Sequence, residues 1–108
     1  MVEQLTAEQL RKNLDSGAEM QLIDTRRPEK FADGHIPGAR NLPYDELADR
    51  IDEMEWGKEI VLVCEIGQSS LQAARILESY EGVDDDALVA NLDGGYEDWD
   101  GELESGEG

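Results

Sequence analysis

The sequence predicts an α/β fold organised around a mostly parallel sheet. Short apolar runs, Met20-Gln21-Leu22-Ile23, Ile60-Val61-Leu62-Val63 and Ala87 to Leu92, alternate with segments whose apolar residues recur at helical spacing. That alternation is the pattern of βαβ units. Each run is followed by a polar residue, Asp24, Cys64 or Asp93. Ligands of open parallel sheets gather outside the carboxyl ends of the strands, so these three residues are expected on the functional side.

In chain order, Thr6 is placed as an N-cap with Gln9 three residues on, the spacing of a capping box. Ala7, Leu10 and Leu14 form the apolar stripe of that helix, and Gly17 supplies its stop. After the strand ending at Asp24, Pro28 fits the first turn of a short helix through Lys30-Phe31, closed by Gly34. His35 to Ala39 is a turn leading to the extended Arg40-Asn41-Leu42, and Pro43 favours an extended shape before it. Leu47, Ile51 and Met54 mark one helix face. A further helix follows the 60–63 strand, with Leu71, Ala74 and Leu77 on one side and Ala73 and Ile76 widening the stripe. Asp93-Gly94-Gly95 turns the chain into a last short helix holding Tyr96 and Trp99. Residues 1–100 are expected to form one domain, and the acidic, Gly-rich residues 101–108 a tail that frays.

Charge narrows the function. Acidic residues number 27 against 9 basic, a formal net charge of -18. Residues 61–108 carry 13 acidic groups and a single basic one, Arg75. Nucleic acid is a poor partner for such a surface, because its phosphates are repelled. The excess runs along nearly the whole chain, which fits a cytoplasm rich in salt, where screening acts over a few Å, better than one docking patch. No stretch reaches the roughly 18–20 apolar residues of a membrane span. Met-Val-Glu-Gln begins the chain without a basic region or apolar run, so no secretory signal is expected. The lone cysteine allows no internal disulfide, and a free thiol suits a reducing cytoplasm.

Cys64 is the chemical centre of the reading. It ends an apolar strand and precedes Glu65-Ile66-Gly67-Gln68-Ser69-Ser70 and a helix. A thiolate is the reactive form of cysteine, and its pKa falls near a helix N-terminus. Backbone N–H groups in a tight loop ahead of a helix form an anion cradle. Gly67 lets the chain turn closely, and Ser69 and Ser70 are placed to cap the helix and donate hydroxyl hydrogen bonds. Such a loop suits a thiolate that takes up a sulfur atom and then passes it on, covalent catalysis in two half-steps. A buried structural cysteine would not call for this loop.

Three motifs carry a resemblance to the rhodanese-like domain family over roughly residues 3–100. One is Leu22-Ile23-Asp24-Thr25-Arg26 with Glu29, Phe31, Gly34-His35-Ile36-Pro37-Gly38-Ala39 and Asn41-Leu42-Pro43. Another is Cys64 followed by Gly67, Ser69 and Ser70, and the third is Leu92-Asp93-Gly94-Gly95 with Trp99. The chain is similar to the small single-domain thiosulfate sulfurtransferases of that family. The resemblance implies a doubly wound fold, with a five-stranded parallel core sheet and helices on both faces. It implies Cys64 as acceptor of sulfane sulfur from thiosulfate, a small anionic donor, or from a persulfide donor protein. A thiol, a sulfur-acceptor protein or cyanide would then receive it, with no metal and no organic cofactor. The alternative is a non-catalytic regulatory or protein-binding module.

Many active loops of the family hold arginine where Ser69 stands, and here Glu65 adds a negative charge instead. Related longer loops that act on phosphate have arginine six residues after the cysteine, and position 70 is Ser70. The resemblance treats Arg26 as a partner of carboxylates near the strand end, and His35 as architectural. Asp24, Arg26, Gly94 and Gly95 are expected as supporting residues, the two glycines shaping the pocket mouth. One histidine with no second histidine or cysteine ligand near it argues against a metal site.

Overall fold

In the computed structural model, which describes residues 2–106, five strands form one sheet. They are β1 (Glu3–Leu5), β2 (Gln21–Asp24), β3 (Arg40–Asn41), β4 (Glu59–Val63) and β5 (Leu88–Leu92). Their order is β1-β5-β4-β2-β3, and every pairing is parallel. The sequence reading did not find β1. Three residues, Glu-Gln-Leu, are too few to show a strand period, and β1 owes its existence to pairing with β5 at the sheet edge.

Helices cover both faces: α1 (Ala7–Asp15), α2 (Pro28–Asp33), α3 (Leu47–Arg50), α4 (Ser69–Glu78) and α5 (Gly95–Asp98). Side chains alternate across a strand, so β4 feeds two cores. Ile60 and Leu62 pack with Leu47, Ala73, Ala74 and Leu77 from α3 and α4. Val61 and Val63 pack with Leu10 of α1, Phe31 of α2 and, at their margin, Tyr96 and Trp99. Full burial of each such Leu or Ile stabilises by about 1.5–3 kcal/mol, which makes the central strand a rigid support for the loop at its carboxyl end.

The expected capping box is present. Thr6 Oγ1 accepts from Gln9 N at 3.1 Å, and Gln9 Oε1 accepts from Thr6 N at 2.9 Å. Pro28 begins α2 as expected. The helix face read over Leu47 to Met54 is broken up: α3 is four residues long, flanked by 3-10 turns at Tyr44–Glu46 and Ile51–Glu53. Carboxylates four apart, Asp45 with Asp49 and Asp49 with Glu53, repel along a continuous helix.

The segment expected to fray is tied down over the described residues. His35 and Glu104 exchange two backbone hydrogen bonds, at 2.9 and 2.8 Å, and Gly106 N donates to Ala32 O at 2.9 Å. Unpaired backbone groups on the α2–His35 turn drive this pairing, a signal that composition does not carry. Residues 107 and 108 lie outside the described residues.

Candidate active site

From β2 the chain passes through α2 to β3 on one side. From β4 it passes through α4 to β5 on the other. Between β2 and β4 the connections therefore part to opposite faces, and a crevice opens at the carboxyl ends of the strands. A pocket of about 500 Å³ sits there, one wall from residues 25–33 and the other from residues 64–69.

Cys64 lies at the pocket floor, 3 % exposed. Its Sγ accepts hydrogen bonds from Gly67 N at 3.1 Å, Ser70 N at 3.3 Å and Ser70 Oγ at 3.1 Å. Burial pushes the thiol pKa up, but the neighbouring Ser69 hydroxyl, the Ser70 hydroxyl and the Ser70 and Gly67 amides outweigh it, and the pKa ends below the ordinary value. Ser69 Oγ rests 3.5 Å from Thr25 Oγ1, and its hydroxyl proton can rotate toward the sulfur. Neither serine caps α4 with its side chain; Gln68 holds the cap position, without a side-chain bond. The sulfur itself accepts the first-turn amide of Ser70, filling the acceptor role expected of a capping hydroxyl.

Of the six cradle residues, Gly67 and Ser70 touch the sulfur, while Glu65, Ile66, Gln68 and Ser69 line the pocket. Gly67 has φ +88°, which favours glycine. Gly95 lies directly beneath the loop, where a Cβ would run into Cys64 O. This close approach lets the first amides of α5 grip the loop: Tyr96 N donates to Cys64 O at 2.9 Å and Glu97 N to Glu65 O at 3.0 Å. Gly94 stands at the cap position of α5, with φ +79°.

Asp24 does not line the pocket. It is fully buried, and its carboxylate accepts from Arg26 N, Nε and Nη2 and from Tyr96 Oη. Arg26 also donates to Gly34 O at 2.7 Å, and its guanidinium lies 3.8 Å from the Tyr96 ring centroid. Burial lowers the Arg26 pKa, but Asp24 more than offsets this and the net direction is up. Burial, then the Asp24 charge, drives the Tyr96 phenol well above its ordinary value. The Asp24–Arg26–Tyr96 cluster thus ties the end of β2 to α5. Arg26 Nη1 is also 3.7 Å from Glu65 Oε1, so the loop carboxylate is partly offset by a cation from the opposite wall.

His35 is fully buried, stacked on Phe31 at 3.7 Å between centroids, with Nδ1 2.8 Å from Phe31 O. Its Nε2 faces Glu104 Oε1 at 3.3 Å without an aligned hydrogen bond. It lies outside the pocket lining.

Sequence reasoning missed Thr25, Arg27, Lys30 and Asn91. Arg27 and Lys30 line the pocket opposite the thiol loop. A signal existed: Arg26, Arg27 and Lys30 place three of the chain's nine cations within five residues. Asn91 sits on the α4 face of β5, and its Oδ1 accepts from Ser70 Oγ. Its Nδ2 donates to Gly67 O at 3.2 Å and Gln4 Oε1 at 3.1 Å. No local pattern marks an asparagine inside an apolar strand as a partner of a loop over twenty positions away.

Comparison with known proteins places the chain among rhodanese-like domains. The model of the Rhodanese-like domain matches residues 6–102. Thiosulfate sulfurtransferase GlpE of Pseudomonas aeruginosa is 37% identical over 97 residues, 90% of this chain and 83% of that protein. The uncharacterized protein YqhL of Bacillus subtilis is 36% identical over 85 residues, 79% of this chain and 64% of its own length. The chain spans only about half, 54%, of the putative sulfur carrier protein YrkF of the same organism. A crystal structure of a rhodanese-like domain protein from Staphylococcus aureus superposes with a TM-score of 0.79 at 28% identity, covering 97% of this chain and 99% of that one.

Proposed function

This chain belongs to the rhodanese-like domain family, and we propose that it is an active sulfurtransferase that works through a persulfide on Cys64. The observation that carries the reading is the sulfur at the pocket floor, held by two amides and a hydroxyl that favour its anionic form. A cysteine kept only for packing has no use for three donors.

With thiosulfate, the Cys64 thiolate attacks the outer sulfur. A bond forms between Sγ and that sulfur, the sulfur–sulfur bond of thiosulfate breaks, and sulfite leaves with the electron pair. The enzyme then carries an anionic persulfide. A thiolate or cyanide attacks its terminal sulfur, restoring the Cys64 thiolate and releasing a new persulfide or thiocyanate. The Gly67 and Ser70 donors are in place before the reaction, so they stabilise the sulfur anion without reorganising. The negative surface and the unpaired thiol support a reducing, salt-rich cytoplasm as its setting.

Intact-mass measurement after incubation with thiosulfate or a persulfide donor in concentrated salt tests the reading. A gain of one sulfur atom is expected in the wild type and none in Cys64→Ser. A wild-type protein that takes up no sulfur from either donor would overturn it.

A further inference from the structure

The wall facing the thiol loop has a charge character unlike the rest of the molecule. Arg26, Arg27 and Lys30 line the pocket with Glu29, Asp33 and Glu65. Their formal charges cancel, so the pocket is neutral in a chain of net charge -18. The cations also differ among themselves. Arg26 is spent on Asp24 and Gly34. Arg27 and Lys30 are exposed, and among the described residues neither side chain has a hydrogen-bond or ion-pair partner. Arg11, Lys12, Arg50 and Lys58 are all paired with carboxylates, as expected where acids outnumber bases threefold. Among the described residues Arg40 and Arg75 also lack ion pairs, but they do not line the pocket. Two uncommitted cations three residues apart therefore face the same cavity as the nucleophile.

The cavity is also large for an inorganic ion. About 500 Å³ falls within the roughly 300–1,000 Å³ of sites for small organic ligands. Ile66, 44 % exposed, offers apolar contact at its mouth. An inorganic anion gains nothing from that surface, whereas a carbon skeleton does.

We propose that Arg27 and Lys30 are specificity-determining residues that bind a carboxylate carried by an organic persulfide, at a distance from the sulfur being transferred. This rests on the sulfurtransferase reading. Cys64 Sγ bonds to the outer sulfur of RS–SH, the RS–S bond breaks, the thiolate RS⁻ leaves with the electron pair, and the proton stays on the transferred sulfur. The loop lacks a cation of its own, and Arg27 and Lys30 supply two from across the pocket.

The test has two arms, both at the lowest salt that keeps the fold intact by circular dichroism. The first alkylates Cys64 with anionic iodoacetate and neutral iodoacetamide in wild type and the double variant R27Q/K30Q. The ratio of the two rates is expected to fall about three- to tenfold in the variant, and an unchanged ratio overturns the assignment of Arg27 and Lys30 whether or not sulfur is transferred. The second measures persulfidation by glutathione persulfide, ethyl persulfide and thiosulfate. Wild-type kcat/KM for glutathione persulfide is expected to exceed that for thiosulfate by about tenfold, and its advantage over ethyl persulfide to shrink about three- to tenfold in the variant. Preference for thiosulfate, or equal losses on both persulfides, overturns the donor class. No uptake from any donor would overturn the sulfurtransferase reading itself.

Discussion

Asn91 accepts the hydroxyl of Ser70, the same hydroxyl that lies 3.1 Å from the Cys64 sulfur. Ser70 has one hydroxyl proton and two acceptors. When Cys64 is ionised the sulfur is the stronger acceptor; when it is protonated the hydroxyl is free for the amide. Asn91 is held in register for this exchange by its own bonds to Gly67 O and Gln4 Oε1.

Ser70→Ala should raise the midpoint of the Cys64 alkylation-rate profile against pH and slow sulfur uptake about tenfold near neutral pH, the scale of one hydrogen bond to a charged group. Asn91→Asp should move the midpoint the same way, because a carboxylate there takes the Ser70 proton and repels the thiolate. Both profiles are read by mass spectrometry. Unshifted midpoints would remove Ser70 and Asn91 from the control of the thiol.

The depressed thiol pKa also links stability to pH. The folded protein gives up the Cys64 proton below the ordinary thiol range, so between the folded and unfolded values the unfolded chain binds more protons and stability rises with pH. The contribution is full above the unfolded pKa and lost as pH falls through the folded one. Urea melts from neutral pH to above the ordinary thiol range should show that rise in wild type, and a flatter slope in Cys64→Ser.

Gly95→Ala should destabilise by about 2 kcal/mol or more, because a Cβ at φ +59° meets Cys64 O and the Glu65 carbonyl. Sulfur uptake should fall with it even where the fold survives in stabilising salt, since the loop must shift. A urea midpoint equal to wild type would show that the loop yields freely.

Stability should climb between low and molar salt. A net charge of -18 is self-repelling, and the Debye length shrinks from about 10 Å at 0.1 M to about 3 Å at 1 M. Urea midpoints across that range give the check, and a flat series would mean that the acidic surface costs the fold little.

Deleting residues 103–108 should cost about 1–3 kcal/mol, the scale of leaving the buried backbone N–H and C=O of His35 unpaired. Melts in molar salt separate this from the relief of charge repulsion. No loss there would make the His35–Glu104 pairing incidental.

Much of this architecture was legible in the chain. Apolar runs with β-branched residues located β2, β4 and β5, and Thr6, Pro28 and Gly34 marked helix ends through local chemistry. The thiol loop was legible because its parts are contiguous, Cys64 through Ser70. What was not legible depends on distance. Asn91 reaches Ser70, and Arg27 and Lys30 face Cys64, only after the sheet has brought separate segments together. The 101–106 segment reads as solvent-seeking by composition, yet its backbone satisfies partners on a turn some seventy residues earlier.

The two walls of the pocket are anchored in different cores, α2 on one face of the sheet and α4 on the other. The Cys64 sulfur and its donors belong to one wall, and Arg27 and Lys30 to the other. Substitutions at the exposed Arg27 and Lys30 can therefore change the charge of one wall while the Cys64 loop keeps its shape. Each wall can vary at its surface without disturbing the packing that holds the other.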